Sequence, residues 1–245
     1  MERQDPVQAV SAILRERYSG ADSALLAGSV IRGDATTTSD LDLVVLYPTL
    51  ERSFRESFHY AGWPVETFLH DCRTIEYFFI EKDLASGIGS MMWMVHDAVA
   101  VPADTALNRQ VKERADSLLA AGPPAWSVAE IDYARYTITG LLDDLADPRN
   151  IGELRAIVAA LYHVVGNHVL RTHGLWGATS KTIPRRLHVF DASLARRFDV
   201  AFGEGFRCHV GPLVAWIDGV LAPTGGRLFD GYSAYSDSAW RRDPP

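Results

Sequence analysis

LLAGSVIRGDATTTSDLDLVVL, residues 25–46, is the stretch from which the rest of the chain can be read. Leu25, Leu26 and Ala27 form an apolar run that stops at Gly28-Ser29. A loop of small polar residues follows, with Gly33 and the run Thr36-Thr37-Thr38. Asp40 and Asp42 then alternate with Leu41 and Leu43 and lead into Val44, Val45 and Leu46. Alternation passing into a β-branched apolar run predicts a strand. Side chains at i and i+2 of a strand share a face, with Cα atoms about 6–7 Å apart. Asp40 and Asp42 therefore sit side by side, while Leu41 and Leu43 turn to the core.

Two carboxylates this close repel each other as ions. A wet strand end would tolerate them. A working pair calls for a cation, and oxygen ligands suit Mg²⁺, which binds one or two carboxylates together with substrate phosphates. The Gly28-Ser29 step upstream favours the second reading. Glycine lets the backbone approach a ligand closely. Its N–H groups and the Ser29 hydroxyl are suited to phosphate oxygens.

Gly28-Ser29, ten intervening residues, and Asp40-Leu41-Asp42 together resemble the signature of the nucleotidyltransferase superfamily that includes DNA polymerase β. Arg32-Gly33 and Ser39-Asp40-Leu41-Asp42 resemble its antibiotic-modifying and minimal branches. The resemblance implies an α+β fold: a small mixed sheet with flanking helices, followed by a helical bundle. It implies Mg²⁺ as cofactor and a nucleoside triphosphate, ATP being the expected one, as co-substrate. Asp40 and Asp42 would be the catalytic metal ligands. Gly28, Ser29, Arg32 and Ser39 would hold the nucleotide. A third acid is expected on a neighbouring strand.

Outward from this core, Pro6 to Ser19 has helical spacing through Val7, Val10, Ile13, Leu14 and Tyr18, with Asp5-Pro6 as its start. Residues 23–27 predict the first strand and 40–47 the second. Residues 49–61, TLERSFRESFHYA, predict a helix with Leu50, Phe54 and Phe58 on one face, and Gly62-Trp63-Pro64 predicts a break. Val65 to His70 alternates again. Glu66, on the face opposite Val65 and Thr67, is the candidate third acid, with Asp71 as the alternative. His70 shares the face of Glu66.

Residues 73–86 read as a helix, Met91–Val95 as a core patch, 98–102 as a short strand and 105–121 as a helix opened by Asp104. Gly122-Pro123-Pro124 is the best linker, so the expected domains are 1–122 and 123–245. Ser127 and Glu130 have capping-box spacing. Helices are expected at 128–146, 151–172, 183–202 and 209–221. The tail beyond Pro223 is rich in Gly, Ser, Asp and Pro, and its last residues, WRRDPP, read as unstructured.

The second half offers less chemistry. Lysine occurs only at 82, 112 and 181. The turn Gly174–Lys181 resembles a segment of aminoglycoside adenylyltransferases that carries a lysine, which implies a nucleotide contact for Lys181. Glu130, Asp143, Asp144 and Glu153 are candidate acceptor contacts, although a solvated acidic face explains each of them. His163, His168 and His173 recur every five residues and so spread around a helix rather than clustering.

A 245-residue chain with 47% hydrophobic and 22% charged residues can build a real core. Its net charge of −7 makes it a poor general binder of nucleic acid. Cys72 and Cys208 have no metal or disulfide spacing. The opening MERQDPVQAV lacks a basic stretch followed by an apolar core, and no run reaches the length of a membrane span. A cytoplasmic monomer or homodimer, without membrane partner, is expected. The leading function is transfer of a nucleoside monophosphate, AMP in the first instance, to a hydroxyl of an aminoglycoside- or lincosamide-like small molecule, as in antibiotic resistance. The alternatives are an AMPylating, antitoxin-type enzyme with a protein acceptor and a nucleotide-binding module without turnover.

Overall fold

The structure is a computed structural model that describes residues 3–236. It comprises two compact units, residues 1–124 and 125–245. The first opens with α1 (Pro6–Arg17). Asp5 caps it by accepting from the Gln8 N–H at 3.0 Å, and Pro6 takes the first helical position. Ala9, Val10, Ile13 and Leu14 are its buried face. The chain then runs through β1 (Ser23–Ala27), the single-turn α2 (Ser29–Arg32), β2 (Leu41–Leu46), β3 (Phe54–Tyr60) and β4 (Trp63–His70). After these come α3 (Cys72–Phe78), a π-helical turn (Phe79–Leu84), α4 (Ser90–Asp97), β5 (Val99–Val101) and α5 (Ala106–Ala121).

The five strands form one mixed sheet in the order β3-β4-β2-β1-β5. Only β2 and β4 run parallel; the other neighbours are antiparallel. β1 and β2 are central, and their buried Leu26, Leu41, Leu43 and Val45 pack with Ala9, Val10 and Ile13 of α1. This is the expected α+β arrangement.

The structure corrects the expected helix at 49–61. Residues 54–60 form β3, an edge strand paired antiparallel to β4. The break expected at Gly62-Trp63-Pro64 is placed one residue earlier, because β4 already begins at Trp63. The turn is Ala61-Gly62, both at positive φ (47° and 84°), the conformation that two-residue hairpins favour. One end of β3 is tied to α1 by Tyr18, whose hydroxyl donates to Glu56 at 2.5 Å and lies 3.1 Å from Thr67 Oγ1. Burial, with Glu56 beside it, pushes the Tyr18 phenol up to about 12.

The π-helical turn carries Asp83, 3% exposed, which accepts the Met92 N–H at 2.7 Å at the start of α4. Burial pushes its carboxyl up to about 6, against the opposing pull of the Met92, Met91 and Ser90 N–H groups. A folded-state value above the ordinary 3.8 means that the unfolded chain loses this proton first. Stability from this group is thus complete below pH 3.8 and falls as pH rises to about 6. An Asp83→Asn variant should lack that fall, which is worth about 2 kcal/mol. Urea unfolding of both proteins at pH 4 and pH 6.5 measures it. Parallel pH dependences would refute the assignment.

The second unit is helical: α6 (Val128–Ala146), α7 (Ile151–Thr172), α8 (Thr182–Phe190), α9 (Ala192–Phe206) and α10 (Val210–Leu221). Ile138, Leu142, Val158, Leu161, Val165, Phe198, Phe202, Leu213 and Ile217 form its core. The Ser127–Glu130 capping box forms as the spacing predicts. The single helix expected over 183–202 is two helices, and the second runs on to Phe206. Asp191 ends α8 and caps α9, accepting from the Ser193 and Leu194 N–H groups.

The beginning of the tail packs on α6. Arg135 donates to the carbonyls of Gly226 and Gly225, and Tyr136 stacks on Phe229 and Tyr232. The final WRRDPP lies outside the described residues. Among the described residues, no helix is long and apolar enough to cross a membrane.

Candidate active site

Strand β1 ends in Ala27, and the chain turns at Gly28 with φ 80° and ψ −163°. That region of backbone space is essentially restricted to glycine. The turn is also crowded. Ala27 is paired with Asp42 across the β1–β2 ladder, and a Cβ on Gly28 would overlap Asp42 Oδ2. The Gly28 backbone therefore lies directly against the second aspartate. Glycine here meets two needs at once, an unusual φ and close approach.

The parallel pairing of β2 with β4 sets Glu66 opposite Asp42 in register. Asp40 precedes β2 by one residue, on the face of Asp42. One carboxylate oxygen from each of Asp40, Asp42 and Glu66 lies within 4.8 Å of the others, and all three side chains are half-buried. Among the described residues this is the one such grouping of three His, Cys, Asp or Glu side chains. Three hard oxygen donors at this separation fit Mg²⁺ or Mn²⁺ and do not resemble a zinc set, which would draw on Cys or His.

Around the acids, the loop is held by hydroxyls. Ser29 donates to Ser39 Oγ at 2.8 Å, and Ser39 Oγ accepts the Thr36 N–H at 2.8 Å. Ser39 thus closes residues 29–39 into a ring beside Asp40. Arg32 lies 3.6 Å from Asp34 and 3.9 Å from Asp97, and is partly exposed.

Asp71, the alternative third acid, is occupied elsewhere. Its Oδ1 accepts the Arg73 and Thr74 N–H groups to cap α3, and its Oδ2 accepts the Leu50 N–H at 3.0 Å. Burial raises its carboxyl, but these donors outweigh burial and hold it below the ordinary value. His70 is buried four residues along β4 from Glu66, edge-on to Phe78 and 3.3 Å from Thr74 Oγ1. Burial pushes it down to about 4, Asp71 opposing, so it is neutral at pH 7.

In the second unit, Lys181 is exposed on the turn before α8. Glu130 accepts the Ser127 N–H and hydroxyl, both at 2.7 Å. Glu153 accepts the Arg149 N–H at 2.6 Å, and Asp143 lies 3.9 Å from Arg227. Asp144 is exposed. Helix capping and surface ion pairing explain Glu130, Glu153 and Asp143.

One neighbour of the acids was not legible in the sequence. Arg55 of β3 donates one Nη to both carboxylate oxygens of Glu66, at 2.8 Å each. Only the β3–β4 pairing brings it there, and residues 49–61 read locally as a helix.

Residues 7–86 match the family described as nucleotidyltransferase domain. The match runs from α1 past the π-helical turn and takes in Gly28, Ser29, Arg32, Ser39, Asp40, Asp42 and Glu66. Lys181 lies beyond it. The match supports a nucleotidyl-transfer function. Among solved structures, the chain is similar to a nucleotidyltransferase-like protein from Exiguobacterium sibiricum 255-15. The two are 12% identical, the comparison covers 90% of this chain and 77% of that one, and the TM-score is 0.41. No curated protein matches the sequence.

Proposed function

We propose that the protein is a Mg²⁺-dependent nucleotidyltransferase that moves a nucleoside monophosphate, AMP in the first instance, from a triphosphate to a hydroxyl of a small molecule. The observation that carries this is the convergence of Asp40, Asp42 and Glu66 beside the Gly28 turn. A divalent cation at the three acids would neutralise triphosphate charge and polarise the attacking hydroxyl. The acceptor oxygen attacks the α-phosphorus and gives up its proton to solvent, the bond from the α-phosphorus to the bridging oxygen breaks, and pyrophosphate leaves.

The protein's own part is placement. Gly28, with no side chain, lets backbone N–H groups meet the departing phosphates, and Ser29 and Ser39 hold the loop in that shape. Arg32 adds positive charge to the phosphate side. Lys181 is assigned to the nucleotide on its resemblance alone, and the helical unit to recognition of nucleotide and acceptor. An aminoglycoside-like acceptor is favoured by the net charge of −7, since polyamines concentrate near acidic surfaces, and a lincosamide-like one rests on the resemblance alone.

A pyrophosphate-release screen that crosses the four nucleoside triphosphates with a panel of aminoglycosides and lincosamides tests the reading. Release that depends on one acceptor, with a nucleotide's mass added to it, is the expected result. Nucleotide mass on a protein would identify a protein acceptor instead. Tight nucleotide binding with no release for any acceptor would refute the enzyme reading.

A further inference from the structure

We infer that Arg55 is the built-in counter-ion of Glu66, and that it weakens the metal site enough for the cation to arrive with the nucleotide rather than reside in the protein. The inference rests on the three-acid metal reading above and adds a positioning residue to it.

Arg55 stands opposite Phe68 in the β3–β4 ladder, and Glu66 stands opposite Ser57. The arginine therefore reaches its partner along the diagonal, a distance that long side chains span. Its guanidinium lies over the Phe68 ring, 4.9 Å from the centroid, and one Nη bonds both Glu66 oxygens. Phe68 and Glu66 are two residues apart on β4 and share a face. The ring thus forms a shelf that sets the guanidinium at the height of the carboxylate.

The strand order gives this contact its meaning. Glu66 sits between β2, which carries Asp42, and the edge strand β3, which carries Arg55. On one side it faces two carboxylates, and on the other a cation. A divalent ion placed among the acids must share the Glu66 carboxylate with the guanidinium. It must also bear the repulsion of a positive charge one side chain away. A carboxylate has about four lone-pair positions, so sharing is feasible but weaker than sole possession. The phosphates of a bound nucleotide supply the missing negative charge. This matches the way Mg²⁺ usually binds, through few carboxylates plus substrate phosphates.

The pair gives the fold little support. Arg55 is 56% exposed and Glu66 33%, and such surface pairs contribute little to stability. Substitution of Arg55 therefore leaves the domain folded, which thermal denaturation checks.

The test is Mn²⁺ binding to the full chain without nucleotide, followed by the EPR signal of the free ion. Arg55→Gln should tighten Mn²⁺ by about fivefold or more. Arg55→Lys, which keeps the charge but loses the flat guanidinium stacked on Phe68, should fall between the parent and Arg55→Gln. In a Glu66→Gln background, Arg55→Gln should lose most of its tightening, because the contested carboxylate is gone. Added ATP should shrink the difference between the parent and Arg55→Gln, since the phosphates then dominate the site.

Unchanged or weaker Mn²⁺ binding in Arg55→Gln would overturn the inference. So would a gain that persists undiminished with Glu66→Gln. Those outcomes leave the metal reading standing as long as Asp42→Asn still weakens binding. Binding that no acid substitution alters would remove the metal reading, and this inference with it.

Discussion

An Asp42→Asn variant should fold like the parent and lose nucleotidyl transfer by at least a hundredfold to a thousandfold, on the order of what removing one preorganised charged or polar group from a reacting centre costs. Asparagine has the shape of aspartate, and the residue is half-buried beside Gly28, so the substitution adds no volume. What it removes is the central charge of the three. Asp42 is the residue placed by both ladders, opposite Ala27 on one side and Glu66 on the other. Its carboxylate is the one that lies against the Gly28 turn. Stability should be unchanged or slightly raised, because one of three mutually repelling carboxylates has gone. Rates of pyrophosphate release, with thermal denaturation on the same samples, measure both. Asp71→Asn is the control, since that acid is spent on capping α3 and holding Leu50. It should change activity by no more than a few-fold. Turnover retained in Asp42→Asn would remove Asp42 from the chemistry.

How much of this was legible in the chain follows the locality of the signal. β1 and most of β2 are continuous apolar runs buried on both faces, β4 alternates with one face in the core, and the local pattern of each reports that burial. β3 is an edge strand with no fully buried residue, and the alternation of Phe54, Phe58 and Tyr60 with Arg55, Ser57 and His59 is interrupted by Glu56. Phe54 and Phe58, four apart, are equally compatible with a helix, and only the pairing with β4 decides for a strand. The same dependence on pairing hid Arg55. Glu66 was within reach of sequence reasoning because its strand was recognisable, but its register opposite Asp42 is a fact of the parallel β2–β4 ladder, which joins residues 24 positions apart. Asp83 gave no signal. An acid in a helical stretch reads as a solvent-facing charge unless one knows that the next helix will start on top of it. The break at Asp191 was hidden for another reason. It has neither glycine nor proline, only an aspartate able to cap the helix that follows.

A Gly28→Ala variant should destabilise the first unit by about 3 kcal/mol and abolish most activity, for two separable reasons. The first is backbone. At φ 80° and ψ −163° an alanine carries a strain of roughly 1–3 kcal/mol. The second is contact. The new Cβ overlaps Asp42 Oδ2, so either the carboxylate turns away or the β1–β2 ladder opens at its end, with an overpacking cost of about 1–3 kcal/mol. A turned Asp42 no longer converges with Asp40 and Glu66, and activity falls even in molecules that remain folded. Hydrogen exchange along β1 and β2 reads the loss of stability at the place where it arises. The two causes come apart in a cycle with Asp42→Ala, which removes the oxygen that the Cβ meets. If contact contributes, Gly28→Ala costs clearly less stability in the Asp42→Ala background than in the parent, and the difference is the overlap term. If the two costs are equal, backbone strain alone explains the glycine, and the close approach of Gly28 to Asp42 has no energetic weight. A parent-like stability and turnover in Gly28→Ala would go further and remove the turn from the account of the site.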